Sequence, residues 1–387
     1  MGRLSRAELQ EHNRARVLEA ARNEFAEQGF PGAKVDAIAE RAGLTRGAVY
    51  SNFPGKRALY FAVLADLAEH VPEPPHPAPG RTRPEALGAL ARAWVAGLPL
   101  TGTGTGTGDR HESPRLGRHL MPEILSEERI RRPFAQLMKL DAVLLGLALE
   151  GLRRPDAPPG RLVRVAEAVL TTLHGASQMA DAAPGFIEPF NIVSACERLA
   201  DLALDDTWPP PHLPYIPQAR PADEPWSPPP AMDAVRGGPA RLADDGVVVI
   251  LGLHRLEAAE EAVRAAPPGA TVTAVLVTGE PAELTPLARW AVAGLCGCLR
   301  QAFPPSAWPR LQVVHDVSGV LAEAAGVPAV SDGTEAAVRV AGGRIVARAD
   351  GRGACHAAAA AEGATTRAGG ARPGGSRRTR RDGSRRS

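Results

Sequence analysis

The run AIAERAGLTRGAVYSNFPGKRALY, residues 37–60, decides how this chain is read. Ile38, Ala39 and Ala42 continue from Val35 at helical spacing, and Gly43 ends that helix. A tight turn between helices asks for glycine, because positive φ carries no steric cost without a Cβ. Thr45 follows as a hydroxyl able to accept from a backbone N–H at the start of the next helix. That helix is very short, carries Val49 and Phe53 toward a core, and stops at Pro54-Gly55. Lys56 opens a fourth helix with Leu59, Val63 and Leu67 inward, while upstream Leu18, Ala21 and Phe25 line a first helix stopped by Gly29. Residues from about 10 to 70 thus read as a cluster of short helices.

A capped helix N-terminus presents free N–H groups and partial positive charge to an anion or a groove. Just behind the cap, Arg46 offers a guanidinium for a guanine edge or a phosphate, and Gly47, with Ala48 beside it, lets the backbone come close. Tyr50 can place its hydroxyl on a phosphate, and Ser51 and Asn52 can donate to phosphate or base. Lys56 adds a further phosphate contact. From Arg41 to Ala65 there is no acidic residue, whereas Arg41, Arg46, Lys56 and Arg57 all fall there. With a formal net charge of only +2, affinity for nucleic acid has to come from such local clustering.

From Val17 to Leu64 the sequence VLEAARNEFAEQGFPGAKVDAIAERAGLTRGAVYSNFPGKRALYFAVL resembles the DNA-binding domain of the TetR/AcrR family of transcriptional regulators. The Phe25–Gly29–Phe30 end of the first helix, IAERAG, the Gly-Ala-Val-Tyr helix and the Phe53–Lys56 stretch carry the resemblance. It departs from the family at Ala33 and Lys34, where Thr or Ser is frequent; a hydroxyl contact is lost there and Lys34 substitutes as a point charge. The resemblance implies a homodimer on double-stranded DNA with a palindromic operator. It also implies a helical domain that binds a small-molecule effector, and release of a repressor from its site. A two-fold dimer sets two short recognition helices about 34–36 Å apart along the duplex. An activator role is equally compatible with the sequence.

After VPEPPHPAPG, helical patterning resumes at Pro84 and is interrupted by the low-complexity TGTGTGTG at Thr101–Gly108. Helices are expected at about 116–127, 129–151, 161–182 and 189–206. The last two form a candidate dimer interface, with Leu170, Leu173, Ile192, Cys196, Leu199 and Leu202 inward. Met121, Phe134, Met138, His174 and Gln178 are the candidate effector contacts.

The expected organisation is multidomain: an all-α TetR-like half followed by an α/β domain. Residues 1–70 form the helix-turn-helix domain and 71–207 the ligand and dimer domain. A proline-rich linker at 208–243 precedes a thioredoxin-like α/β domain at 244–362 and a disordered basic tail at 363–387. In the α/β part the pattern gives strands at 247–253, 271–277, 311–315, 335–341 and 344–349, with helices at about 255–266, 281–302 and 318–325 and from Gly353. VVHDVSGVLAEAAGV and AAVRVAGGRIVARADGRGACHA are similar to the later half of peroxiredoxin-like and flavin-hydroxylase C-terminal domains.

Thiol chemistry in such a domain needs a Cys at the exposed helix start after the first strand, and GLHRLEAAEEA has none there. Of the four cysteines, only Cys355 beside His356 stands near a helix start; Cys296 and Cys298 point to nearly opposite faces of one helix, and Cys196 is a small apolar residue. Neither a catalytic set nor a metal or cofactor site is expected, and a DNA-tethered redox enzyme is the alternative. The cysteine spacing fits a reduced cytoplasm, and no segment reads as a signal peptide or a membrane span.

Overall fold

The computed structural model describes residues 5–71, 78–98, 116–153, 160–208 and 218–361. The low-complexity run at Thr101–Gly108 and the basic tail lie outside them. The chain begins with α1 (Arg6–Gly32), α2 (Val35–Arg41), α3 (Arg46–Asn52) and α4 (Lys56–Glu69). Ser5 and Glu8 close a capping box at the start of α1, satisfying backbone N–H groups that the first turn leaves open. Gly29, at φ 66°, breaks the α1 geometry where the sequence predicts a stop. Phe25, Phe30 and Tyr60 form an aromatic knot with ring centroids 4.8–5.9 Å apart, which ties α1 to α4.

A helical body follows: α5 (Arg83–Val95), α6 (Leu120–Ser126), α7 (Glu128–Gly151), α8 (Val163–Ala182) and α9 (Pro189–Leu199). Thr82 and Glu85 cap α5 with a second capping box. The last helix is shorter than the 189–206 expected, and Leu202, expected inward, is exposed. Leu170, Leu173 and Cys196 are buried within the chain's own core, not held open for a second copy.

The C-terminal part is a six-stranded mixed sheet in the order β1-β8-β7-β4-β5-β6. Its strands are β1 (Arg220–Pro225), β4 (Gly246–Gly252), β5 (Thr271–Val277), β6 (Leu311–His315), β7 (Glu335–Ala341) and β8 (Arg344–Asp350), with a separate small pair, β2 (Met232–Asp233) and β3 (Gly238–Pro239). β4, β5 and β6 run parallel, and β7, β8 and β1 alternate antiparallel. Helices α10 (Ala258–Ala265), α11 (Pro281–Ala302), α12 (Val320–Ala324) and α13 (Ala354–Ala360) complete it. Successive β4 residues alternate between two cores, Val247, Val249 and Leu251 on one side and Val248 and Ile250 on the other, as a period of two requires.

Two expectations need correction. The proline-rich segment is not a plain linker over 208–243: Arg220–Pro225 joins the sheet edge against β8, where Pro221 and Pro225 are tolerated because an edge strand leaves one row of N–H positions unpaired. Trp226 is buried beside it, its indole N–H donating to the Leu242 carbonyl at 2.7 Å.

The second correction concerns the border between the halves. Beside the expected inward Leu59 and Val63, every residue from Ala58 to Ala65 on α4 is buried, because α11 packs along it. One apolar core runs from Val17 through α4, α5 and α7 into α11 and the near face of the sheet. The α/β part is docked on the helical part, and α11 belongs to both.

Candidate DNA-contacting surface and effector cavity

The turn before α3 is built as the sequence requires. Gly43 sits at φ 61°, and a Cβ added there would meet Arg16 Nη2 at 2.7 Å. Thr45 caps α3: the Ala48 N–H donates to its hydroxyl at 3.2 Å. Val49 and Phe53 are buried, so the opposite face of α3 is set outward by packing. Arg46, Gly47, Tyr50 and Ser51 lie exposed on it, with Ala48 and Asn52 half-buried at its edges. Ser51 and Asn52 donate to the Ala48 carbonyl at 2.9 and 2.8 Å. Their side chains are thereby preset against the helix. Lys34 is exposed at the start of α2.

The cationic face is narrower than the composition suggests. Arg46 is its outward member, lying 5.5 Å over the Tyr50 ring and 3.3 Å from Asp36 with both partners exposed, a pairing that water screens and a phosphate can replace. Arg41 turns back to Glu27 and Glu24 on α1 at 2.7 and 3.4 Å. Arg57 is drawn into Glu283 and Glu127 at 2.6 and 2.8 Å. Lys56 donates to the Phe30 carbonyl at 2.8 Å, capping the end of α1 while covering the Phe30 ring. In exchange, α1 supplies two cations that sequence reasoning passed over. Arg14 packs on Phe53 at 4.4 Å and reaches the Asn52 carbonyl at 3.4 Å, and Arg16 lies exposed at the Gly43 turn. The NRAR run just ahead of the first core residue was the available signal.

Of the five candidate effector contacts, Met138 and His174 line one cavity of about 590 Å³ between α5, α7, α8 and α11. Phe134 adjoins it, stacked on the cavity-lining Trp290 at 6.5 Å. Met121 packs against the core elsewhere and Gln178 faces solvent. Trp94, Asp141, Trp290 and Cys298 were missed. Asp141 was legible in retrospect as the single acid between Glu128 and Glu150 on an apolar helix. Burial pushes the His174 imidazole down to about 4; its ring stands edge-on to Trp94 at 4.9 Å.

In the α/β part, the position after β4 where a reactive thiol would sit is filled by Arg255, which pairs with Glu335 at 2.6 Å. Cys355 is fully buried, and burial pushes its thiol well above the usual range, with Glu335 and Glu261 adding to the effect. A group so placed forms no thiolate nucleophile. Burial likewise pushes Cys196 up to about 11 and Cys298 up to about 12. Among the described residues no group of three or more His, Cys, Asp or Glu could hold a metal ion, and no helix is long and apolar enough to cross a membrane. Asp316 is a cap, accepting from the Leu321 and Ala322 N–H groups at 3.0 and 2.8 Å.

A short capped helix, held across a glycine turn by a buried inner face and presenting a guanidinium and small residues outward, defines a helix-turn-helix DNA-binding domain. Residues 17–63 match the model of the family described as bacterial regulatory proteins, tetR family, so this segment is a TetR-type domain. The transcriptional regulator TtgW of Pseudomonas putida is 49% identical over 65 residues, 17% of this chain and 48% of its own length. The transcriptional repressor AcnR of Corynebacterium efficiens is 37% identical over 62 residues, 16% of this chain and 33% of its own. The chain therefore spans about half or less of the length of these curated relatives. Among solved structures, NalD, the secondary repressor of a multidrug efflux pump in Pseudomonas aeruginosa, aligns over 49% of this chain and 95% of its own at 22% identity, with a TM-score of 0.33.

Proposed function

We propose that the chain is a sequence-specific DNA-binding transcriptional regulator, a cytoplasmic homodimeric repressor that leaves a palindromic operator when a small molecule binds its helical part. The observation that carries this is the exposed face of α3, behind the Thr45 cap and backed by buried Val49 and Phe53. Arg46, Gly47, Ala48, Tyr50, Ser51 and Asn52 would meet bases and phosphates there, with exposed Lys34 at the flank and Lys56 reaching a phosphate only by giving up the Phe30 carbonyl. The name of the AcnR relative supports repression. Phe186 and Phe190, 70% and 78% exposed around the start of α9, support a dimer surface, since large exposed aromatics close together mark interfaces.

For the α/β part, the strand order supports a thioredoxin-like reading: parallel β4 and β5 joined through α10, then the β7-β8 hairpin and α13. The buried Cys355 and the Arg255–Glu335 pair speak against redox chemistry in it.

Selection of bound duplexes from a random pool should return an inverted repeat. Arg46→Ala should weaken binding to that site by about 1–3 kcal/mol, roughly fivefold to 150-fold, while sedimentation shows an unchanged dimer. An unchanged gel-shift affinity would remove Arg46 from the interface, and absence of any preferred sequence would end the regulatory reading.

A further inference from the structure

The cavity between the two halves has a composition that selects a ligand. Its volume, about 590 Å³, is that of a small-molecule site. Trp94 and Trp290 supply flat apolar walls, and Met138 adds an adaptable one. At its side stands Asp141, 2% exposed, with Oδ1 fully enclosed and without any hydrogen-bond partner. Glu261 Oε2 and Asp332 Oδ1 are also enclosed without a partner, but of the three residues only Asp141 lines this cavity, so its carboxyl is the one a ligand's donor can reach. The neighbouring groups do not supply that donor. Trp94 gives its N–H to Ser177 at 3.0 Å. The cavity's two arginines are engaged as well: Arg236 with Asp233 at 2.8 Å, and Arg300 with the Ala234 and Val235 carbonyls at 3.1 and 3.2 Å.

We propose that this cavity is a binding site for a lipophilic amine: an aromatic body between Trp94 and Trp290, with one ammonium paired to Asp141. This names the effector class for the regulatory function proposed above and rests on that reading for its consequence, though not for the binding itself. An ammonium satisfies Asp141 in a way that a neutral donor cannot, because it brings the positive charge that lets a buried carboxyl ionise once water is excluded. The site also lies where occupancy can be transmitted. Ala68 and Glu69, at the end of the helix leading out of the DNA-binding domain, line it, and α11, which packs along that helix, supplies a further wall. A ligand seated there touches both sides of the contact that sets the position of α4.

The test uses the full chain and two probes of one shape, 1-naphthylmethylamine and 1-naphthylmethanol, titrated at neutral pH by calorimetry and tryptophan fluorescence. The amine should bind once per chain and at least about tenfold tighter than the alcohol, the scale of a charge-assisted hydrogen bond. Asp141→Asn should remove that advantage and leave the alcohol within about twofold. Gly294→Leu gives an independent check. Gly294 lies on the α11 wall, where an added Cβ meets nothing within 4 Å, so a leucine fills the cavity without opposing the fold and should abolish binding of both probes. Equal affinity for amine and alcohol, or amine binding untouched by either substitution, would overturn the proposal. Gel shifts run beside these titrations read the regulatory function separately: a parent chain that binds its operator but not the amine refutes the site alone, and one that binds the amine but no operator refutes the regulatory reading alone.

Discussion

His174 and His315 are half-buried, each at a cavity wall, and burial pushes each imidazole down to about 4; Arg289 adds to the effect at His315. The consequence is a stability that depends on pH. Between the ordinary imidazole value near 6.5 and about 4, the unfolded chain takes up a proton at each position and the native chain does not. Stability therefore falls as pH drops through that window, by about 1.4 kcal/mol per pH unit for each fully engaged histidine. Asp141 acts in the opposite sense, since burial holds its carboxyl well above the usual range and favours the native state at low pH. The comparison is accordingly between variants. His174→Gln with His315→Gln should flatten the loss of unfolding free energy between pH 7 and pH 5 in denaturant titrations. An equal slope in variant and parent would show that neither imidazole is held neutral. The cap and the outward face of α3 were legible from residue types alone, because a capped short helix with a two-residue inner face leaves little freedom. Asp141 stood out as the single acid between Glu128 and Glu150, but its want of a partner and the partial burial of His174 did not, since each depends on what α11 brings from a hundred or more residues away.

Helix α11 is the element on which the two halves meet, and its N-terminal turn carries a charge cluster. Glu283 accepts from Arg57 at 2.6 Å and from Arg129 at 2.7 Å, while Arg129 also holds Glu280 and Glu127 at 2.7 and 2.6 Å. The Arg57 and Glu283 side chains are only 16% and 14% exposed, so screening by water is limited. Farther along, Arg289 holds Glu69 at the other end of α4 at 2.7 Å. Glu283→Ala should cost about 1–3 kcal/mol, because it leaves two guanidinium groups short of a partner. A double-mutant cycle with Arg57→Ala should return a coupling of about 1 kcal/mol or more; a coupling near zero would mean that the cluster does not fasten α4 to α11. The strands and helices here were largely readable: α11 falls on the expected residues 281–302, and β5 and β6 fall where their apolar runs lie. Strand β1 was not, since RPADEP has neither apolar alternation nor β propensity and is defined by its partner β8. The dual burial of α11 left little trace, because Leu284, Leu287, Ala288, Ala291, Val292, Leu295 and Leu299 repeat at helical spacing as one apolar stripe, the pattern of a helix covered from a single side.

At the scale of the molecule, the shared core decides whether the chain behaves as two units or one. The apolar face of α4 is closed by α11, and the cluster of buried side chains passes from Phe25 and Phe61 to Leu295 and Phe303 without a break. Domains separated by a flexible linker melt independently, whereas halves that bury a common apolar surface unfold together. Tryptophans report on both sides of the junction: Trp94 in the helical part, Trp226 and Trp308 in the α/β part. The full chain should unfold in one transition, with far-UV circular dichroism and tryptophan fluorescence coincident along a denaturant titration. A fragment ending at residue 208 loses the cover on α4 and one wall of the cavity, and should be aggregated or lack a cooperative melt. Should that fragment unfold cooperatively at the denaturant midpoint of the full chain, α11 contributes nothing to the stability of the DNA-binding half. The coupling of cavity to recognition helix through α4 would then lose its physical basis.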